Sequence, residues 1–461
     1  MAQIAVTLFQ ILCFLGALTA VSILLVGRIK FIKRNILLGK PIGGIDPASK
    51  GERMKKMLML AFGQQKMFDK PLVGLLHFAV YAGFLIVNIE VLEIILDGIF
   101  GTHRMFSGVL GSLYPVLINF FEILAFTVVV SCVIFFLRRN SLKIPRFHKD
   151  EMKGWAFLDA NIILVWEIVL MFFLLTMNAT DSILQTRIEE NAFVKDHYPV
   201  VGTFAISQFL IPLYEGFNTY TLIFLERAAW WLHIVGIFGF AVYVTYSKHL
   251  HILLAFPNTY YMDLKSRGEI ENMPEVTKEV KIMMGELEDD GGGAEDEFPS
   301  FGAKEVTDLT WKNLMDAYSC TECGRCTAEC PANQTGKKLS PRKIMMDTRD
   351  RVEEYGINID ENGEFKDDGK KLYGDYITKE ELMACTTCNA CVEACPVSIN
   401  PLDIILKMRR YVAMEESDTP QSWNMMFQNI ENNFAPWAFS ASDRFNWADE
   451  LAAEAAKSDE A

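Results

Sequence analysis

The stretch from Ile4 to Val26, IAVTLFQILCFLGALTAVSILLV, carries no charged side chain. About 20 apolar residues in a helix cross the roughly 30 Å hydrocarbon layer, where backbone amides find no partners but one another. The stretch therefore predicts a membrane-spanning helix. Four more largely apolar stretches follow at Pro71–Leu96, Val109–Leu137, Phe157–Thr176 and Ala228–Ser247, which makes five spans. A shorter run, Val200–Leu213, is interrupted by Gly202, Gln208 and Pro212 and is expected to be interfacial or re-entrant. The leading MAQ has no positive charge and no small-residue cleavage site follows, which argues against a removable signal peptide.

Basic residues orient the spans. The loop after the first span holds Arg28, Lys30, Lys33, Arg34, Lys40, Lys50, Arg53, Lys55, Lys56, Lys66 and Lys70. The loop after the third holds Arg138, Arg139, Lys143, Arg146, Lys149 and Lys153. The intervening loops, Asp97–Ser107 and Met177–Arg227, are poor in both residue types. The expectation is an N-terminus outside and everything after Ser247 in the cytoplasm of a bacterium, with the chain multi-pass in its inner membrane. The whole chain has 44 Lys+Arg against 58 Asp+Glu, a formal charge of −14, which leaves no basic excess for nucleic acid. The sequence divides into a membrane domain over 1–256, an acidic flexible linker over 257–304 around ELEDDGGGAEDE, a compact segment over 305–415, and a C-terminal extension over 416–461 suited to partner docking.

Three of the seven histidines sit on or against spans. His233 and His251 are 18 residues apart on one apolar run, which in a continuous helix is five turns and about 27 Å, with both rings on one face. His77 lies about 10 Å in from Lys70 by the same rise, a depth comparable to that of His251. A single intramembrane histidine is more often a packing or hydrogen-bonding residue. Two at matched depth on different helices are what a haem b with two axial imidazoles requires. His103, His148 and His197 fall in loops and are expected to be solvated. The carboxylates Glu90, Glu93, Glu122 and Glu167 lie within spans, where a charge costs at least about 2.5 kcal/mol. Each alone reads equally well as an interhelical hydrogen-bonding group. As a set, Glu90, Glu122 and Glu167 with His233 form a candidate quinone pocket with proton access.

Eight of the ten cysteines form two runs, CTECGRCTAECP over 320–331 and CTTCNACVEACP over 385–396. In this spacing three thiolates close on one [4Fe–4S] cubane and the fourth, before proline, turns to the other cluster. The expected sets are Cys320, Cys323, Cys326 and Cys395 for the first cluster, and Cys385, Cys388, Cys391 and Cys330 for the second. Zinc is the competing reading, but zinc ribbons use paired CxxC knuckles rather than this doubled pattern. Disulfides are disfavoured in a reducing cytoplasm. Cys13 and Cys132, within spans, are expected to be inert packing residues. No nucleotide fingerprint or nucleophile–base motif is present.

Around its histidines, in LLHFAVYAGF and WWLHIVGIFGFAVYVTYSKHLHILLAFPN, the membrane half resembles the five-helix cytochrome b subunit of respiratory nitrate reductases. That family holds two haems between paired histidines on its second and fifth helices. The resemblance implies the His77/His251 haem. For the second haem, through His233, the partner position ten residues after His77 is Val87, and His103 lies beyond the span. The long insert between the cysteine runs is similar to the helical ferredoxin of succinate dehydrogenase and heterodisulfide reductase. The combination is most similar to the heterodisulfide-reductase-related electron-transfer flavoprotein:menaquinone oxidoreductases, through CTECGRCTAECPANQTGKKLSPRKIMMDTRD and ENNFAPWAFSASDRFNWADEL. It implies an all-α protein, a five-transmembrane-helix cytochrome b-type bundle plus an α-helical ferredoxin domain. Family members commonly continue into cysteine-rich CCG domains, which this sequence lacks, so that unit is expected on a separate subunit. The implied function is an oxidoreductase subunit passing electrons from a flavoprotein or CCG-domain partner through both clusters and haem b to menaquinone. The alternatives are the reverse flow, from menaquinol to a disulfide or sulfur-compound reductase, and a zinc-bearing membrane scaffold.

Overall fold

The computed structural model describes residues 2–43, 46–266, 268–288 and 301–459. Among the described residues the regular elements are helices, apart from two isolated single-pair bridges. Five of them are long and apolar enough to cross a membrane: α1 (Ala2–Ile36), α2 (Pro71–Phe100), α3 (Tyr114–Asn140), α4 (Trp155–Thr186) and α5 (Thr219–Val244). Their outer faces stay apolar, with Phe9, Leu12, Leu72 and Val116 largely exposed, a surface that suits lipid and not water. Inside, Phe14, Val87, Ala125, Leu170, Leu174 and Ile234 share one core.

The run from His233 to His251 is not one helix. α5 stops at Val244, a short 3-10 turn covers Lys248–Leu250, and α6 (His251–Tyr260) follows. At the break Asp159, at the start of α4, accepts from the Lys248 amide (3.0 Å) and from the Tyr243 hydroxyl (2.5 Å), and Ser247 Oγ caps the turn by accepting from the His249 amide (3.0 Å). His233 and His251 therefore do not share a face of one continuous helix. His251 sits at the start of its own helix.

At the end of the bundle remote from the cysteine runs, two expected solvated histidines are largely enclosed instead. Asp97 accepts from the amides of Arg104 (2.8 Å) and Met105 (3.1 Å), which folds the loop after α2 back over the helices. His103 consequently meets Asp181 at 3.2 Å and stacks on His197 at 5.1 Å. Arg104 is buried between Asp181 (2.5 Å), Asn178 (2.7 Å) and Tyr114 (3.1 Å).

The segment with the cysteine runs packs at the other end. α7 (Trp311–Ser319) starts from a capping box between Thr310 and Asn313, and α8 (Pro341–Asn362) from Ser340. The fully buried Arg351 of α8 reaches Glu305 (2.7 Å) and Asp368 (2.6 Å). Removing one member of a buried ion network costs about 3–5 kcal/mol. Arg351→Met should therefore lower the thermal midpoint of this segment markedly in a calorimetric scan, and an unchanged midpoint would count against it. The cytoplasmic-end residues expected from the basic runs hold the segment: Arg28, in the last part of α1, pairs with Glu353 (2.9 Å), and Arg342 donates to the Arg146 carbonyl (2.6 Å) and pairs with Glu151 (2.7 Å).

Residues Met1–Glu271 with Glu305–Ile405 form one compact unit, and Asn272–Lys304 with Leu406–Ala461 a second. The second contains helices Pro274–Met283, Gln421–Asn433 and Asn446–Asp459 and exposes Trp423, Phe434 and Trp447. Most of the acidic stretch expected as linker, 289–300, lies outside the described residues.

Candidate metal and cofactor site

The two cysteine loops follow the same path. Left-handed backbone occurs at Glu322 (φ 53°) and Gly324 (φ 71°) in the first and at the matching Thr387 (φ 57°) and Asn389 (φ 61°) in the second. Left-handed non-glycine residues are uncommon and concentrate at functional loops. Amides here point at sulfur: Glu322 N donates to Cys320 Sγ (3.5 Å) and Thr387 N to Cys385 Sγ (3.4 Å), and after left-handed Ser398 (φ 57°) Ile399 N donates to Cys395 Sγ (3.3 Å). Amides aimed at sulfur stabilise thiolates and the clusters they hold.

Cys320, Cys323, Cys326 and Cys395 line one small cavity, together with Gly324 and Arg342. Cys391 lies in the electrostatic neighbourhood of Cys385, Cys330 and Cys388. The last cysteine of each run thus lies near the first three of the other. All ten cysteines are unbridged. Burial pushes Cys320 and Cys391 up to about 12 and Cys395 to about 11; after burial, neighbouring thiols raise Cys391 and Cys395 further, while at Cys320 the Glu322 amide opposes the rise and the Glu322 carboxylate and nearby thiols add to it. Thiols crowded this way ionise together only around a cationic core, so the donor sets fit iron–sulfur clusters. At Gly324 a Cβ would lie 2.4 Å from the Arg342 guanidinium, on a backbone that favours glycine. Gly324→Ala should therefore deplete the iron of the first set while the second keeps its own; full iron by metal analysis would contradict this.

His77 and His251 face each other with ring centroids 6.5 Å apart and planes tilted by 43°. Each ring is held by Nδ1: His77 by the side-chain carbonyl of Gln64 (2.9 Å), His251 by the Lys248 carbonyl (3.0 Å). Neither Nε2 has a hydrogen-bond partner among the described residues. Two imidazole nitrogens about 2 Å from a common iron put the ring centres roughly 6 Å apart, and ligating histidines usually donate their other nitrogen to a carbonyl. The pair fits a bis-imidazole haem. His249 stands perpendicular to His251, with ring centroids 5.4 Å apart.

The other candidate residues have distinct partners. Glu122 accepts from the Ile206 and Ser207 amides (2.7 and 3.1 Å), the Ser207 hydroxyl and Asn178 (3.0 Å), which makes it the clamp of the irregular 200–210 segment. Glu90 is buried with both carboxylate oxygens unpartnered, in the neighbourhood of Arg104, Glu93 and Glu122. Glu167 lies beside Cys132. His233 Nδ1 donates to the Leu170 carbonyl (2.9 Å), and its buried Nε2 has no partner among the described residues. Sequence reading missed Gln64, Lys248, Glu322 and Arg104. Only Arg104 carried a signal, as the one Lys or Arg in the loop after α2.

Fold and site together define an all-helical protein with five candidate membrane spans and a two-cluster iron–sulfur segment. Residues 319–399 match the 4Fe-4S dicluster domain. The chain is similar to a probable iron-sulfur-binding oxidoreductase, FadF, of Bacillus subtilis, 27% identical over 428 residues that make up 87% of this chain and 55% of that protein. It is also similar to the EtfAB:quinone oxidoreductase of Syntrophomonas wolfei, 26% identical over 96% of this chain and 60% of the relative. A component of the dihydromethanophenazine:CoB–CoM heterodisulfide reductase of Methanosarcina mazei matches at 29% over 32% of this chain and 36% of its own. The chain thus spans little more than half the length of the first two relatives. No solved structure matches it.

Proposed function

We propose that this chain is the membrane-embedded electron-transfer part of a quinone-linked iron–sulfur oxidoreductase. In this reading Cys320, Cys323, Cys326 and Cys395 hold the first [4Fe–4S] cluster, and Cys385, Cys388, Cys391 and Cys330 the second. His77 and His251 hold haem b through their Nε2 atoms. Bound there, clusters and haem supply the one-electron carriers that side chains lack. The chain's own part is positional: amides steady the sulfurs, Gln64 and the Lys248 carbonyl fix both imidazole tautomers, and burial keeps water from the first set.

One observation carries the order of transfer. Arg325, between Cys323 and Cys326, donates to the Lys66 carbonyl (3.2 Å), and Lys66 Nζ donates to the Glu393 carbonyl (2.8 Å) beside Cys395. The loop that holds His77 through Gln64 therefore touches the first cysteine set. Cys388 of the second set is exposed. This supports entry at the second cluster, from an electron-transfer flavoprotein or a CCG-domain subunit, and exit through the first to the haem. Glu90 and His233 retain unpartnered buried atoms and are the residues assigned to menaquinone, its proton, or a second haem at His233. Contacts of the basic loops with the cluster segment support a bacterial inner membrane location with that segment in the cytoplasm.

The test is purification from native membranes with co-purifying subunits. Two four-iron clusters and at least one haem per chain are expected, the haem being reduced by the flavoprotein and reoxidised by menaquinone. Stoichiometric zinc with neither iron nor a haem band would overturn the reading. The likeness to heterodisulfide reductase favours one variant of it, flow from menaquinol to a disulfide reductase. Haem reduction by menaquinol, without reoxidation by menaquinone, would select that direction.

A further inference from the structure

Both imidazoles are suspended from residues that also grip the first cysteine set, by two separate routes. On one side His251 Nδ1 meets the Lys248 carbonyl (3.0 Å), and Lys248 Nζ donates to Glu322 Oε2 (2.5 Å). Glu322 lies between Cys320 and Cys323, and its amide donates to Cys320 Sγ (3.5 Å). The ion pair is enclosed, with side-chain exposures of 9% and 3%. Lys248 is fixed further by the Ala156 carbonyl (2.5 Å) and by Asp159 on its amide (3.0 Å), and Glu322 by Arg349 (2.7 Å). On the other side His77 Nδ1 meets Gln64, a buried residue with left-handed backbone (φ 50°). Two residues on, Lys66 reaches the Glu393 carbonyl beside Cys395 and receives Arg325 on its own carbonyl.

Docking alone does not call for this arrangement. The cluster segment has other anchors that touch neither histidine, such as Arg34, which bonds Asp360 and the Gly356 carbonyl (2.9 Å). Burying Lys248 and Glu322 also carries a desolvation cost that an apolar contact would avoid. Their geometry couples ring orientation to loop position. We propose that the Glu322–Lys248 pair and the Gln64–Lys66 turn are positioning devices that register the first cluster on the His77/His251 haem and set the orientation of its axial rings. With the clusters held by the cysteines and a haem held by His77 and His251, the step these residues would serve is the transfer of one electron from the first cluster, which would be oxidised, to the haem iron, which would be reduced, with no bond made or broken. This inference rests on the haem reading above and deepens it.

The experiment uses the full-length chain, loaded with clusters and haem in detergent. Hydrogen-bond partners that orient ligating histidines are worth about 10–100-fold in function. Lys248→Met keeps the backbone carbonyl and the aliphatic stem, and Glu322→Gln keeps the shape. Each should slow haem reduction from pre-reduced clusters about tenfold or more in stopped flow, and should shift the low-spin haem EPR signal. Iron and haem contents should stay at wild-type levels. Lys248→Arg should recover part of the rate, and Arg34→Met should leave rate and signal unchanged. Wild-type rate and EPR signal in both Lys248→Met and Glu322→Gln would overturn the proposal, as would an equal effect from Arg34→Met. A wild-type chain that binds no haem would refute the haem reading itself, an outcome distinct from haem-loaded variants that behave normally.

Discussion

His251→Ala should remove the bis-imidazole haem completely while the chain still inserts and keeps both sets of cluster iron. The expectation follows from where His251 lies. It opens α6 after the last candidate span has ended at Val244, so its loss leaves the apolar length of every span intact. Its ring is 6.5 Å from that of His77, and its Nδ1 is already committed to the Lys248 carbonyl, so Nε2 is the atom a metal would take. An iron deprived of one axial nitrogen loses the six-coordinate low-spin spectrum entirely. His77→Ala should do the same from the other side. His249→Ala is the control, because that ring stands perpendicular to His251. Reduced-minus-oxidised spectra of membranes decide the matter, and a full bis-imidazole band in His251→Ala would show that the axial pair is misassigned.

The second large effect concerns the exchanged cysteines. Cys395→Ser should destroy the cluster whose other ligands are Cys320, Cys323 and Cys326, although it belongs to the later run. Cys330→Ser should destroy the cluster of Cys385, Cys388 and Cys391. The expectation follows from the cavity that Cys395 shares with the first three thiols, and from Cys330 lying in the neighbourhood of Cys391. Each substitution should halve the cluster iron and leave one of two EPR signals. The signal that remains identifies which set was lost. Loss of the opposite signal would mean that each run closes on its own cluster.

Some of this architecture was legible from residue order alone because the signals are local. An uncharged stretch long enough to span a membrane, such as Ile4–Val26, has little choice but a helix, since the membrane offers its amides no other partner. The cysteine spacing is equally local, because three thiolates within seven residues can reach one metal core from a single loop. His77 and His251 could be paired by depth, which depends only on helical rise and topology. His233 and His251 do not lie on one helix: α5 ends at Val244, and the Lys248 amide turns to Asp159 of a helix distant in sequence, a contact that spacing does not show. Glu122 shows the same limit: in sequence it is one buried carboxylate among four, and only its four donors reveal a clamp on the 200–210 segment.

The sequence by itself determined the class of element, the number of spans and the grouping of the cysteines into two loops, each through short-range chemistry that packing does not reverse. The tertiary structure alone decided what holds the two facing imidazoles and which cysteine set lies beside them. Gln64 and Lys248 are ordinary residues in a one-dimensional reading. They become the supports of His77 and His251 because the loop before α2 and the turn after α5 converge on Glu322, Arg325 and Cys395, which are distant in the chain. Contacts of that kind depend on which surfaces the folded elements bring together, and neither residue type nor spacing encodes them.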